Sequence, residues 1–140
     1  MSQEATSQER NKAAVRAAFD RWSAGTGSPF ELLADDSTWT ITGSSPLSKT
    51  YPRKQFLDEL IAGFNARVKQ PLSARVRGIW ADGDMVIALF DAEALAHDDQ
   101  PYRNTYTWYF EMKDGKVASA IAFFDTRQLD ALWTRVSPRR

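Results

Sequence analysis

A chain of 140 residues has the size of one domain and can bury a core without disulfides or a structural metal. Its 18 basic residues balance 18 acidic ones, 43% of its residues are hydrophobic, cysteine is absent and histidine occurs once. That composition excludes intrinsic disorder, a thiol nucleophile, a thiolate metal site, a bilayer-spanning segment and charge-driven binding to nucleic acid or anionic membrane. No cofactor or metal is expected, and the polar start MSQEATSQERNK, unlike a signal peptide, points to a cytoplasmic protein.

Thr6 and Glu9 are spaced as a capping box. Val15, Ala18, Phe19 and Trp22 then share one helical face until Gly25 stops the helix. A turn leads into the apolar piece 30–33, and the alternation from Ser37 to Thr42, with Trp39 and Ile41 on one side, predicts a short strand. The Gly-, Ser- and Pro-rich loop 43–52 precedes a second helix with the stripe Phe56, Leu57, Leu60, Ile61, Phe64 and Val68, and Pro71 forbids its continuation. From Leu72 onward the period changes to two. Asp82-Gly83 and Asp114-Gly115 have the pattern of hairpin turns, so four consecutive antiparallel strands are predicted near 72–81, 84–96, 102–113 and 116–124. A last short helix carries Leu129, Leu132 and Trp133. Helices first and a meander afterwards predict an α+β fold, one domain over 10–134, with 1–9 and 135–140 as flexible tails.

Opposed residues of a hairpin share a sheet face. A two-residue turn at Asp114-Gly115 sets Met112 against Val117, Trp108 against Ile121, Tyr106 against Phe123 and Asn104 against Asp125. This set is more apolar than its reverse and is assigned to the inner face. The same reasoning at Asp82-Gly83 sets Trp80 against Met85, Val76 against Leu89 and Ala74 against Asp91, and turns Glu93 inward with them. A loop closing between His97 and Tyr102 joins the two inner faces. One inner surface then holds Asp91, Glu93, Asn104, Tyr106, Trp108, Phe123 and Asp125. A slip of one residue would send a strand's whole set to the other face.

Carboxylates buried among aromatic rings have raised pKa values and can exchange protons near neutral pH. Asp125, Asp91 and Glu93 are therefore the candidate catalytic residues. Asn104 and Tyr106 are candidate hydrogen-bond donors to a substrate, and Trp108, Phe123 and Trp39 candidate walls of a pocket for a small hydrophobic organic molecule. Plainer roles compete with each of these. Asp125 precedes Thr126-Arg127-Gln128 as an N-cap would, and Asp91 and Glu93 could pair with Arg75, Arg103 or Arg127. Tyr106 and Trp108 could serve packing alone, and His97 beside Asp98-Asp99 reads as a surface residue rather than a metal ligand.

Several segments together resemble the SnoaL-like group of the nuclear-transport-factor-2-like superfamily. The early ones are Phe19-Asp20-Arg21-Trp22-Ser23-Ala24-Gly25, Leu33-Ala34-Asp35-Asp36-Ser37-Thr38-Trp39, and Gly43-Ser44-Ser45-Pro46-Leu47 with Tyr51. The later ones are Tyr102-x-Asn104-x-Tyr106-x-Trp108-Tyr109-Phe110, Asp114-Gly115-Lys116-Val117 and Phe124-Asp125-Thr126. The resemblance implies a cone-shaped barrel, in which a curved antiparallel sheet wraps around N-terminal helices with a pocket between them. It also implies a homodimer formed through the outer sheet face, and cofactor-independent isomerase, cyclase, dehydratase or epoxide hydrolase chemistry. Asp125 stands in the place of the late-strand carboxylate of the group's polyketide cyclases. The first-strand aspartate and helix tyrosine of ketosteroid isomerases have no counterpart at 39–42 or at Ala18, and the arginine of limonene epoxide hydrolase has none at Leu89 or Phe90. Thr40 replaces the histidine that many SnoaL-like proteins carry after the first-strand tryptophan. An acid–base enzyme using Asp125 is thus the first functional expectation. A non-catalytic small-molecule-binding or dimerisation module is the alternative, and a protein-interaction domain is a third reading.

Overall fold

In the computed structural model, which describes residues 6–139, helix α1 (Ser7–Ala24) starts and stops where the sequence signals place it. The Thr6 side chain accepts from the Glu9 backbone N–H at 3.1 Å, and Gly25 closes the helix at φ 75°, a left-handed conformation that glycine adopts without a Cβ penalty. A 3-10 turn (Pro29–Leu32) follows, fixed by a capping box in which Ser28 Oγ accepts from Phe30 N and Glu31 Oε1 accepts from Ser28 N. Strand β1 (Leu33–Ile41) and the short β2 (Thr50–Pro52) come next, β2 forming inside the segment expected to be a loop. The second helical run comprises α2 (Arg53–Gln55), a π segment (Phe56–Ile61) and α3 (Ala62–Asn65). It ends before Val68, which opens strand β3 (Val68–Asp82) rather than continuing the helical stripe. Pro71 lies within β3, where a missing N–H is tolerated because β3 is an edge strand and its register with β4 shifts between Gln70 and Ser73.

Strands β4 (Met85–Ala96), β5 (Pro101–Lys113) and β6 (Lys116–Phe123) complete one six-stranded sheet of order β2-β1-β6-β5-β4-β3, and α4 (Thr126–Arg135) closes the chain. Neighbouring strands are antiparallel except β1 and β6, which pair in parallel. The expected α+β architecture, a mostly antiparallel sheet curled around N-terminal helices, is the observed one. Parts of the expected tails are ordered. Residues 7–9 belong to α1, Arg135 pairs with Asp98, and Val136 is buried, with the Arg139 N–H donating to the Ala66 carbonyl at 2.7 Å. Residues 1–5 and 140 lie outside the described residues.

The register differs from the sequence expectation at three places, by two residues at the first hairpin, three between β4 and β5 and one in the last hairpin. At the first hairpin Asp82 pairs with Met85, so the turn is Gly83-Asp84 with Gly83 at φ 60°, not Asp82-Gly83. Glycine at the first central position is as good a hairpin turn as Asp-Gly, and the choice sets Trp80 against Ile87. A register shift between Val76 and Gly78 then sets Val76 against Phe90 rather than Leu89, which turns the even-numbered residues of β4 inward. Between β4 and β5, Ala94 faces Tyr102 and Phe90 faces Tyr106. In the last hairpin Lys113 and Lys116 close the turn as expected, but the register shifts after Met112–Val117, so Trp108 faces Ala122 rather than Ile121. Trp80, Phe123 and Ile121, expected inside, are consequently exposed at 52%, 50% and 38%. The alanines Ala88, Ala92, Ala94, Ala120 and Ala122 point inward instead. Their small size is what admits the bulky inward residues of β5, Tyr102, Tyr106, Trp108 and Phe110, together with Phe19 of α1.

Candidate functional site

The concave sheet face and the helices do not fill the space between them. A cavity of about 400 Å³ remains, within the range of small-molecule sites. Its sheet wall is Trp39, Ile41, Tyr106, Trp108 and Ala122. Trp22 of α1, Phe30 of the 3-10 turn and Phe56, Leu60, Ile61 and Phe64 of the second helical run close it from the other side, with Phe124 and Leu129 at one end. The π segment supplies three of these walls, Phe56, Leu60 and Ile61; one extra residue per turn is a device often found beside functional cavities. Glu31, Asn65 and Pro71 are the exposed lining residues, so the mouth lies between the 3-10 turn and the passage from α3 into β3.

Ring geometry makes these walls rigid. Trp39 stacks on Phe56 at 4.4 Å and 10°, Trp22 stacks on Trp108 at 5.9 Å and 13°, and Phe90 stacks on Tyr106 at 5.1 Å and 11°. Trp39 meets Trp108 edge-on at 4.8 Å and 86°. Such pairs add roughly 0.5–1.5 kcal/mol each beyond area burial.

The buried polar groups of the site form one chain. Asn104 Oδ1 accepts from the backbone N–H groups of Thr105 (3.0 Å) and Asp125 (3.1 Å), which fixes the amide orientation. Asn104 Nδ2 therefore donates to the Asp125 carbonyl and to the Tyr102 hydroxyl, both at 2.9 Å. The Tyr102 and Tyr106 hydroxyls lie 2.6 Å apart. Burial pushes both phenols upward in pKa, Tyr106 well above its ordinary value, so both are neutral donors at physiological pH. The Trp108 indole N–H has no hydrogen-bond partner among the described residues.

The expected inner surface is divided by the observed register. Asn104, Tyr106, Trp108 and Trp39 are brought to the inner face, and the last three of these line the cavity. Asp91, Glu93 and Phe123 lie on the opposite face, and Phe123 packs edge-on against Tyr109 at 5.6 Å. Asp125 is exposed beyond the end of β6 and is the N-cap of α4, its side chain accepting from Arg127 N at 3.0 Å. Asp91, Glu93 and Asp125 do line one depression of about 710 Å³ with Arg75, Arg103 and Thr105, but on the outer side of the sheet. There Asp91 pairs with Arg77 (3.2 Å) and Arg75 (3.5 Å), and Glu93 with Arg103 (3.2 Å).

The Thr105 hydroxyl, bonded to Asp91 at 2.7 Å, and then the Arg77 and Arg75 guanidinium groups hold the Asp91 carboxyl below its ordinary range. That is opposite to the direction a neutral-pH general acid requires. A depressed folded-state pKa contributes stability above the unfolded carboxylate range, and the contribution is lost as pH falls through the lowered folded value. Asp91→Asn should therefore be less stable than the parent at pH 7, and the gap should narrow as pH falls from 7 through and below the ordinary carboxylate range of about 4. Chemical denaturation of both proteins across that interval checks this; a gap independent of pH would remove the ion-pair account.

Sequence reasoning missed Phe90 because it set Val76 against Leu89, without the register shift between Val76 and Gly78 that turns Phe90 inward, and Tyr102 because it was read only as a pairing position. Trp22, Phe56, Leu60, Ile61 and Phe64 were legible as helical stripes, yet a stripe does not distinguish a filled core from a cavity wall. Among the described residues, no group of three or more His, Asp and Glu side chains could hold a metal ion, and no helix is long and apolar enough to cross a membrane.

Comparison with known proteins agrees with this geometry. Residues 15–120 match the model of a family described as a SnoaL-like domain. No curated protein sequence matches the chain. Bal32a from a soil-derived mobile gene cassette superposes with a TM-score of 0.73 at 18% identity, over 91% of this chain and 99% of that one. TerC, co-crystallised with polyporic acid, gives 0.69 at 18% identity over 88% of this chain and 97% of its own. IdmH from Streptomyces antibioticus, a proposed polyketide cyclase, gives 0.66 at 18% identity over 89% and 98%. At such identities the likeness is one of fold.

Proposed function

The chain belongs to the SnoaL-like domain family, and from that premise we propose that it binds a compact hydrophobic organic molecule in the aromatic cavity, as a binding module rather than an acid–base enzyme. The carrying observation is the cavity itself, about 400 Å³ of space walled by Trp22, Phe30, Trp39, Phe56, Tyr106 and Trp108. TerC, the neighbour co-crystallised with polyporic acid, supports the reading by analogy of fold. Catalysis through Asp125 is the weaker alternative, because its carboxylate is an exposed helix cap. Glu31, the charged lining residue, is exposed at the mouth, bonded to Ser28 N at 2.8 Å and 3.7 Å from Arg21 Nε.

A fluorescence and thermal-shift screen of small ring compounds tests this proposal. Bound ligands should quench tryptophan emission and raise Tm, and Ala122→Leu, which puts three carbons into the cavity, should weaken binding at least about tenfold. Asp125→Asn should leave affinity unchanged and Asp125→Ala should cost about 1 kcal/mol of stability, the usual loss for an N-cap. Turnover of any ring substrate abolished by Asp125→Asn, with binding retained, would restore the enzymatic reading.

The outer face supports a homodimer as a second property. Ile121 and Phe123 of β6 and Trp80 of β3 are the exposed large hydrophobic residues among those described, and they lie on that face. Light scattering after size exclusion should give the mass of two chains, and Phe123→Asp should shift it to one. A parent protein that runs as one chain at high micromolar concentration would overturn the dimer.

A further inference from the structure

The charge carried by the cavity lining has one sign and sits at one end. Among the described residues no Lys, Arg or His lines the cavity, and Glu31 is its one charged residue. The capping box places Glu31 there, its Oε1 accepting from Ser28 N at 2.8 Å. Arg21 Nε lies 3.7 Å from the same oxygen, beyond hydrogen-bond range, and both side chains are about half exposed, at 43% and 53%. A pair of that kind is weak. Glu31 Oε2 has no partner among the described residues, so the carboxylate keeps capacity for a second cation at the mouth.

Two further features favour positive charge at this end. Helix α1 stops at Ala24, just before the lining residues Gly27 and Ser28, and the carboxyl end of an 18-residue helix carries negative partial charge. Trp22 and Phe30, the chain neighbours of Arg21 and Glu31, are half-buried lining rings with centres 6.1 Å apart and planes at 57°. Aromatic faces are the negative part of such rings and attract cations. Asn65, the other exposed polar residue of the lining, adds an amide oxygen that can accept a hydrogen bond.

An anion bound here would meet the Glu31 carboxylate and find no counter-ion, at high desolvation cost. An uncharged molecule would gain from the apolar walls and nothing from the carboxylate. An ammonium group on a ring body uses both. The ring enters the aromatic interior, while the cation stays at the open mouth and keeps part of its hydration.

We infer that Glu31 is a specificity-determining residue and that the cavity takes a ring molecule bearing an ammonium group, ring inside and charge at the mouth. The inference rests on the binding function proposed above and adds the class of ligand.

Three probes share a naphthyl ring and a two-carbon arm and differ at its end. At pH 7 naphthylethylamine carries a cation there, naphthylethanol no charge and naphthylacetate an anion. Calorimetry at low ionic strength should show the amine binding about tenfold more tightly than the alcohol, with the acetate weakest. Raising the salt from about 0.02 M to about 0.5 M should erase most of the amine's advantage. Glu31→Gln keeps an oxygen for the Ser28 N–H and removes the charge, so the amine's advantage over the alcohol should fall about threefold. Arg21→Ala removes the competing cation and should raise the same advantage, a change that a merely structural loss in this corner would not produce. An amine no tighter than the alcohol, or an advantage that Glu31→Gln leaves unchanged, overturns this inference and leaves the cavity function standing. Binding by none of the three overturns the cavity function and the inference with it.

Discussion

Asn104→Ala should destabilise the fold by about 2–4 kcal/mol, a large effect for one small side chain. The residue is buried and makes four hydrogen bonds, to Thr105 N, Asp125 N, the Asp125 carbonyl and the Tyr102 hydroxyl. Removing the amide strands several groups at once, and each buried polar atom left unpaired costs about 1–3 kcal/mol, reduced where water can enter. Because two of these bonds hold the residue that caps α4, the damage should be local before it is global. Hydrogen exchange should show the amides of 126–135 losing protection while those of β4 and β5 keep theirs. Tyr102→Phe, which removes one hydroxyl from the same chain, should cost only about 1 kcal/mol. Equal losses for the two variants in urea denaturation would mean that the anchor to Asp125 contributes nothing.

Phe19→Ala should be the other severe substitution, at about 3–5 kcal/mol, with Tm lower by roughly 10–20 °C. Phe19 is 1% exposed and meets Phe90 at 5.0 Å, Trp22 at 5.8 Å and Trp108 at 5.9 Å, ring centre to ring centre. It stands behind the cavity wall rather than in it, so its loss leaves a void on the far side of Trp22 and Trp108. Partial collapse of these rings into that void should weaken ligand binding as well as folding. Calorimetry and binding at a temperature well below the lowered Tm separate the two effects. A loss below about 1.5 kcal/mol would mean that α1 does not hold its place on the sheet through this residue.

Local signals located most elements of the chain. Thr6 and Gly25 bound α1 because capping depends on neighbours within one turn. Asp114-Gly115 marks its hairpin because a tight turn restricts two adjacent residues, and here Asp114 and Gly115 take φ of 52° and 78°. The inward set of β5, from Asn104 through Tyr106 and Trp108 to Met112, is legible because alternation within one strand is also local. The Ser28–Glu31 capping box was equally available to local reading.

Faces across strands are a different matter. Glu93 and Asp91 were placed inside because the register shift between Val76 and Gly78 carries no local mark, and Phe123 because of a second shift that no residue pattern around 117–119 announces. Side chains alternate with a period of two, so each single-residue displacement inverts an entire strand, and local propensity is almost indifferent to the choice. What decides it is volume. Trp22, Trp39, Tyr106 and Trp108 can share the concave side only if β4 and β6 turn alanines toward them, and that is a property of five elements packed together. Local patterns thus carried most of the elements, the α+β class and the residues of β5 that face inward, though not β2. Packing across strands is what turned Asp91 and Glu93 outward and left an aromatic cavity, because register and enclosed volume are properties of several elements at once.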